Sequence, residues 1–413
     1  MRQCLSVVGR GWGGSKRGRI RNLLILLILT VFPIAATAQQ PDSTSQLQNY
    51  LQIAAEQNPK LKAEFYQYRA VLAQAPQVGT LPDPKVMFMY FTNPMSYSNP
   101  LSRMSISVSQ QFPWFGTLEA AEDRVQELAK AKRASFLDSR NELFRNIKEV
   151  WFQMYEVKHH LKILGENLEL LQSLESRALT LYETGRTGQV DVLRLQMEID
   201  KVKNNIKQKK ERLEPLRARF NAFLNRDPQS EIHLPMPMEH HTLALVPDQL
   251  LQKIVTRNPE FSRLDFRKQA AQYALEKARL DGLPSFSIGV EAMLPNYMYM
   301  SLMPGERTAL VAKFSIKIPL YRSRYKAQKQ EARLTIRSIE QQQNNLENML
   351  TSDAEKRLQE YHDAQYRITL YEDRLIPKTN RALEIAIESY SAEMENFEEL
   401  IRLQQQLLEY EMG

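Results

Sequence analysis

The chain has 413 residues, of which 43% are hydrophobic and only 14 are glycine, and its mean hydropathy is −0.46. That composition suits a helix-rich, amphipathic protein and argues against both a glycine-dense α/β enzyme and a polytopic helical membrane protein. Of the formal charge of +7, six units belong to the first 38 residues, which hold Arg2, Arg10, Lys16, Arg17, Arg19 and Arg21 and no acid, so the rest carries a net charge of +1. No basic tract interleaved with aromatics follows, and no nucleic-acid partner is expected.

Residues 1–38 read as a signal peptide: a basic segment ending at Arg21, an apolar run from Leu23 to Ile34, and the small-residue site Ala36-Thr37-Ala38. Export and cleavage near Ala38 are expected. The single cysteine, Cys4, lies inside this leader, so the mature chain is expected to have no disulfide and no cysteine to lipidate. No later segment offers about 18 consecutive apolar residues, so no transmembrane helix is expected either.

A helical segment is predicted over 43–75. It is followed by a strand from Lys85 to Phe91 that is apolar on both faces, a turn-rich stretch 92–103, and the strictly alternating Met104-Ser105-Ile106-Ser107-Val108-Ser109. A long helix is predicted over about 116–182. Its apolar seam runs Ile147, Val150, Met154, Val157, Leu161, Leu164, Leu168, Leu171, Leu174, Ala178 and Leu181, close to the coiled-coil period. A return helix over 190–225, irregular at Pro215, leads into the proline-rich linker 226–246. A helix over 247–281 then precedes two more alternating segments, Ser285 to Ala292 and Lys313 to Ile318, on either side of the turn-rich stretch 294–309. A second long helix over about 322–390, with Ile339, Leu346, Leu350, Leu358, Tyr361, Ile368, Tyr371 and Leu375 on its seam, should kink at Pro377. The last helix covers about 392–412. The fold class is mainly α with two β-hairpins.

The chain repeats itself. Asn58-Pro59 recurs as Asn258-Pro259, Leu81-Pro82 as Leu283-Pro284, and Phe112-Pro113 as Ile318-Pro319. The run from Tyr182 through Val192-Leu193-Arg194-Leu195-Gln196 matches that from Tyr390 through Leu400-Ile401-Arg402-Leu403-Gln404. The first structural repeat is therefore 39–225, with its hairpin at 84–112, and the second is 247–413, with its hairpin at 284–318. Two hairpins provide four strands, too few to close a barrel, and open edges are not tolerated in lipid. If the strands lie in a membrane, a ring of three copies closes twelve of them. Met104, Ile106, Val108, Phe286, Ile288, Phe314 and Ile316 would then face lipid, and Ser105, Ser107, Ser109, Glu291, Lys313 and Lys317 would line the lumen.

The Asn-Pro starts, Leu81-Pro82-Asp83-Pro84, the run Ser107 to Gly116, and Tyr182-Glu183-Thr184-Gly185 followed by Asp191-Val192-Leu193, in this order within a two-fold repeat, resemble the outer-membrane efflux protein (TolC) family over about 43–413. The resemblance implies a homotrimer with a twelve-stranded β-barrel in outer-membrane lipid, continued by a periplasmic α-helical barrel. It also implies an exit duct for small solutes that works with a periplasmic adaptor and an inner-membrane transporter of RND type. Segments 81–84 and 112–116 lean toward the heavy-metal branch. The turns 183–190 and 391–398 would form the periplasmic tip, with Tyr182, Gly185, Arg186, Gly188, Asp191, Tyr390 and Glu399 as gate and adaptor-contact residues. The second tip departs from the first, with Glu393 where the first has Gly185.

The bland reading of the first tip is turn-making, with glycine ending one helix and Asp191 capping the next. Neither a catalytic constellation nor a cofactor is expected. The run His233 to His241 gathers imidazoles and thioethers, but proline-rich linkers collect these by chance, and no metal site is expected there. Met298, Met300 and Met303 read as loop residues. The competing class is a soluble periplasmic coiled-coil adaptor or scaffold, which would lack lipid-facing strands.

Overall fold

The computed structural model describes residues 43–92, 102–235, 247–295, 308–391 and 397–413. The expectations for the leader, for His240 and His241, for Met298, Met300 and Met303, and for the middle of the second tip turn lie outside the described residues.

The segment expected as one helix over 43–75 is three: α1 (Ser43–Gln57), α2 (Pro59–Leu72) and α3 (Ala75–Gly79). The break has a local cause. Proline forces the residue before it out of the helical region, and Asn58 sits at ψ 123°. Its side chain then caps α2, Oδ1 accepting the Leu61 N–H at 3.1 Å while Nδ2 donates to the Phe223 carbonyl at 3.0 Å. The second repeat uses the same device. Asn258 separates α6 (Pro247–Arg257) from α7 (Pro259–Leu280), its Oδ1 accepting the Glu260 N–H at 2.7 Å.

Helix α4 (Thr117–Glu183) has 67 residues and is about 100 Å long at 1.5 Å per residue. Its seam is buried where the sequence placed it: Ile147, Val150, Met154, Val157, Leu164, Leu171, Leu174 and Ala178 are all under 9% exposed. Helix α5 (Gln189–Phe223) returns alongside and runs through Pro215 without a break, so the expected irregularity is not a boundary. The second long helix is divided into α8 (Arg322–Leu370), a π-helical turn (Tyr371–Leu375) and α9 (Ile376–Ser391), and α10 (Phe397–Met412) follows. The π turn immediately precedes Pro377, whose ring cannot coexist with a regular i−4 carbonyl; the wider turn makes room.

Three apolar clusters hold the described helices, the smallest setting Leu264 and Ala271 of α7 against Ile339 of α8. In the first, Tyr50 of α1, Trp151 of α4 and Phe220 of α5 meet with ring centroids 5.2 to 5.8 Å apart, among Leu143, Ile147 and Leu224. Asn221, fully buried, ties the chain after α5 to this core. Its Nδ2 donates to the Pro228 and Ser230 carbonyls, and its Oδ1 accepts from Arg226 at 2.7 Å. The second core gathers Leu171, Leu174 and Ala178 of α4, Val192, Leu195 and Ile199 of α5, Ala386 and Tyr390 of α9, and Phe397 and Leu400 of α10. The α4–α5 pair of the first repeat and the α9–α10 pair of the second thus share one core.

Candidate functional site

Strands β1 (Lys85–Tyr90), β2 (Ser102–Phe112), β3 (Ser285–Pro295) and β4 (Ala309–Lys317) form one antiparallel sheet in the order β1-β2-β3-β4. The two hairpins are therefore joined, through β2 against β3. Register alone separates the faces, because directly opposed residues share one. Ile106 stands opposite Phe88 and Ala292, and Ile288 opposite Gln110 and Phe314. One face thus carries Val86, Phe88, Met104, Ile106, Val108, Phe286, Ile288, Val290, Leu310, Phe314 and Ile316. Phe88, Leu310 and Phe314 on this face are 76%, 74% and 66% exposed. Phe112, Phe115 and Phe286 cluster at its helix-proximal end, with centroids 5.5 and 5.9 Å apart.

The opposite face carries Ser105, Ser107, Ser109, Ser287, Glu291, Lys313, Ser315 and Lys317, with Met87, Met89 and Met293 among them. Glu291 is 4% exposed and fully engaged. Ser105 Oγ donates to Glu291 Oε1 at 2.5 Å, and Lys313 pairs with its other oxygen. A buried carboxylate is tolerable only with such partners. Ser287 and Ser315 are hydrogen-bonded across β3 and β4 at 2.6 Å. Gly289 admits no side chain, since a Cβ there would stand 2.8 Å from the Val108 carbonyl oxygen. That close approach keeps β2 and β3 in contact next to Ser109.

At the first tip, Gly185 has φ +74°, a conformation costly for any residue with a Cβ. The turn closes through Gly185 N–H to the Tyr182 carbonyl at 2.9 Å and Arg186 N–H to the Leu181 carbonyl at 2.8 Å. Gly188, rather than Asp191, is the cap residue of α5. Asp191 lies in the first turn of that helix and accepts the Thr187 hydroxyl at 2.6 Å. Tyr390 is buried against Phe397, ring centroids 5.7 Å apart. Its hydroxyl lies near Thr187 and Asp191 without a well-formed hydrogen bond; burial pushes its pKa up, the Thr187 contact opposes this, and the Asp191 charge adds to the rise.

Tyr182 is 44% exposed and stands apart from this group. Glu399 is turned away as well: it pairs with Arg402 one turn along α10, and that hydrogen bond holds its carboxyl below the usual range. The acid that does link elements is its neighbour Glu398, which accepts from Arg194 of α5 at 3.1 Å. Thr187 and the Arg194–Glu398 pair were not singled out from sequence. Their signal was a short hydroxyl residue between the two glycines, and opposite charges at the starts of the two return helices.

No protein-family model matches the sequence, and no curated protein does. Solved structures do. The outer-membrane channel OprN superposes with a TM-score of 0.72 at 18% identity, covering 89% of this chain and 85% of that one. The outer membrane protein VceC from Vibrio cholerae gives 0.72 at 14% identity, covering 89% and 91%. The Campylobacter jejuni CmeC outer membrane channel gives 0.68 at 15%, covering 89% and 81%. The chain has the fold of these outer-membrane channels.

Proposed function

We propose that the protein is an outer-membrane exit duct of a tripartite efflux system, a homotrimer that passes small solutes delivered by a periplasmic adaptor and an inner-membrane transporter of RND type. The observation that carries this reading is the sheet. Among the described residues it has four strands, unpaired edges at β1 and β4, one exposed face that is apolar except for Gln110, and one mainly polar face. Such a sheet is stable in lipid only if copies pair their edges into a closed barrel, apolar face outward and Ser107, Ser109, Lys313 and Lys317 inward. A soluble adaptor or scaffold has no use for an exposed apolar sheet face, which counts against that alternative. The fold it shares with OprN, VceC and CmeC supports the same reading.

In this reading the tip residues Tyr182, Gly185, Arg186, Gly188, Asp191, Tyr390 and Glu399 meet the adaptor and hold the closed state. The lean toward a heavy-metal pump rests on segments 81–84 and 112–116 alone. Envelope fractionation followed by crosslinking tests the whole: the mature chain should sediment with the outer membrane, require detergent, and crosslink as a trimer. Recovery as a detergent-independent soluble species would overturn the proposal.

A further inference from the structure

Leu81-Pro82-Asp83 and Pro113-Trp114 stood out in the sequence but have no task in the conduction just described. In the structure they converge with the starts of α4 and α8 and the end of α7 on a cavity of about 730 Å³. Its sheet side is formed by Gln111, Ser285 and Lys317, all on the polar face. Four cations, Arg124, Lys277, Lys317 and Arg324, line it against two carboxylates, Asp83 and Asp281.

Asp281 is already engaged by Lys277 at 2.6 Å, so three cations face a single remaining carboxylate. Beside them Trp114, Leu118 and Leu280 supply an apolar wall. Two further lining residues, Thr117 and Gln328, each carry a buried oxygen with no hydrogen-bond partner, a condition that asks for an explanation. The volume falls within the roughly 300–1,000 Å³ of small-molecule sites, which combine apolar walls with a few placed polar groups.

The charge excess repels a metal cation, an inorganic anion leaves the apolar wall unused, and a neutral apolar solute leaves the cations unused. We propose that this cavity binds amphipathic organic anions, a carboxylate or sulfonate on an aromatic or apolar body, with Arg124 and Lys317 receiving the anionic group and Trp114 the body. That such anions are solutes carried outward rests on the exit-duct reading; the binding does not. A lipid headgroup offers the same charge, but the sheet residues that line the cavity belong to the polar face, opposite the apolar face that lipid would cover, and this favours a dissolved solute.

The test uses the full mature protein in amphipol and titration calorimetry with naphthalene-2-sulfonate, 2-naphthalenemethanol and 2-naphthylmethylammonium. The sulfonate should bind at least about tenfold more tightly than the alcohol, and the ammonium more weakly than either. The double variant Arg124→Gln/Lys317→Gln should bring the sulfonate down to the level of the alcohol. Trp114→Ala should weaken sulfonate and alcohol alike, with circular dichroism and oligomeric state unchanged in both variants. Equal affinity for the three probes, or a sulfonate preference that survives the double variant, overturns the site. So does displacement of the sulfonate by short-chain phosphatidylglycerol but not by naphthalene-2-carboxylate, which would mark a lipid site. Protein that fractionates with the outer membrane yet shows no sulfonate preference keeps the duct and removes the site; soluble protein that prefers the sulfonate does the opposite.

Discussion

At the scale of single residues, His160 of α4 is the clearest pH-sensitive group. Lys209 Nζ of α5 lies 2.9 Å from its Nδ1, and its Nε2 lies 3.0 Å from the Met412 carbonyl of α10. The carbonyl accepts only, so Nε2 carries the proton and Nδ1 accepts from Lys209. Burial, then the Lys209 charge, lowers the His160 pKa; the hydrogen bond to the Met412 carbonyl and Glu156, 3.9 Å away, oppose this, and His159 adds to it. A histidine whose pKa is lower folded than unfolded takes up its proton more readily when unfolded. Stability is therefore full above the ordinary histidine range and falls as pH drops through it toward the folded value. Urea titrations between pH 7.5 and 5 should show this loss in wild type and a flatter profile in His160→Gln. Identical slopes would remove His160 from the account.

The tip residues belong to the same scale. Asp191 and Glu399 both find partners inside the protomer, Thr187 and Arg402. Single contacts of this kind contribute little and become decisive only when repeated around a ring. Asp191→Ala combined with Glu399→Ala should raise single-channel conductance severalfold at unchanged trimer yield. Conductance equal to wild type in a normally assembled double variant would leave both as helix-local partners.

At the scale of elements, the sheet makes an asymmetric prediction. Ile106 and Ser107 are adjacent in β2 but lie on opposite faces. An arginine facing lipid near the midplane costs about 2–4 kcal/mol, whereas one facing a wet lumen costs little. Ile106→Arg should sharply reduce assembled trimer on semi-native gels and Ser107→Arg should not. Equal tolerance of the two changes would deny the barrel. The alternation that makes this prediction was legible in the sequence because side-chain direction along a strand is a purely local property. The partition of the first helical segment at Asn58 was only half legible. Asn-Pro itself makes the break, but the bond that docks it, from Asn58 to the carbonyl of Phe223, 165 positions away, is not a local property.

At the scale of the whole molecule, α4 and α8 are unequal. Most of the α4 seam is buried within the protomer, whereas in α8 only Ala332, Ile339 and Ala354 are. Ile368, on the α8 seam, is 43% exposed. A coiled-coil seam left open within one copy is suited to burial against another. Burying a fully exposed side chain of this size contributes about 1.5–3 kcal/mol, and less from this partly covered position, repeated at each interface of a ring. Ile368→Asp should dissociate the trimer in mild detergent while helicity by circular dichroism stays near wild type. Wild-type assembly in this variant would place that seam outside the interface.

Features that depend on neighbours a few residues apart are legible along the chain: the period-two segments, the near-heptad seam of α4, the Asn-Pro helix starts, the helix-ending glycine at 185 and the repeat that orders them. The partners those elements take are set by the assembled fold. The hairpins join through β2 and β3, the buried Ser105–Glu291–Lys313 group spans both repeats, and Glu398 rather than Glu399 links α10 to α5. Leu81-Pro82-Asp83 and Pro113-Trp114 become walls of one cavity with Arg124 and Lys317. Periodicity states which way a side chain points but not what it meets. Ser105 and Glu291 are 186 residues apart, and bringing such groups together is decided by the combined burial and register of the elements that carry them, which no local window of sequence contains.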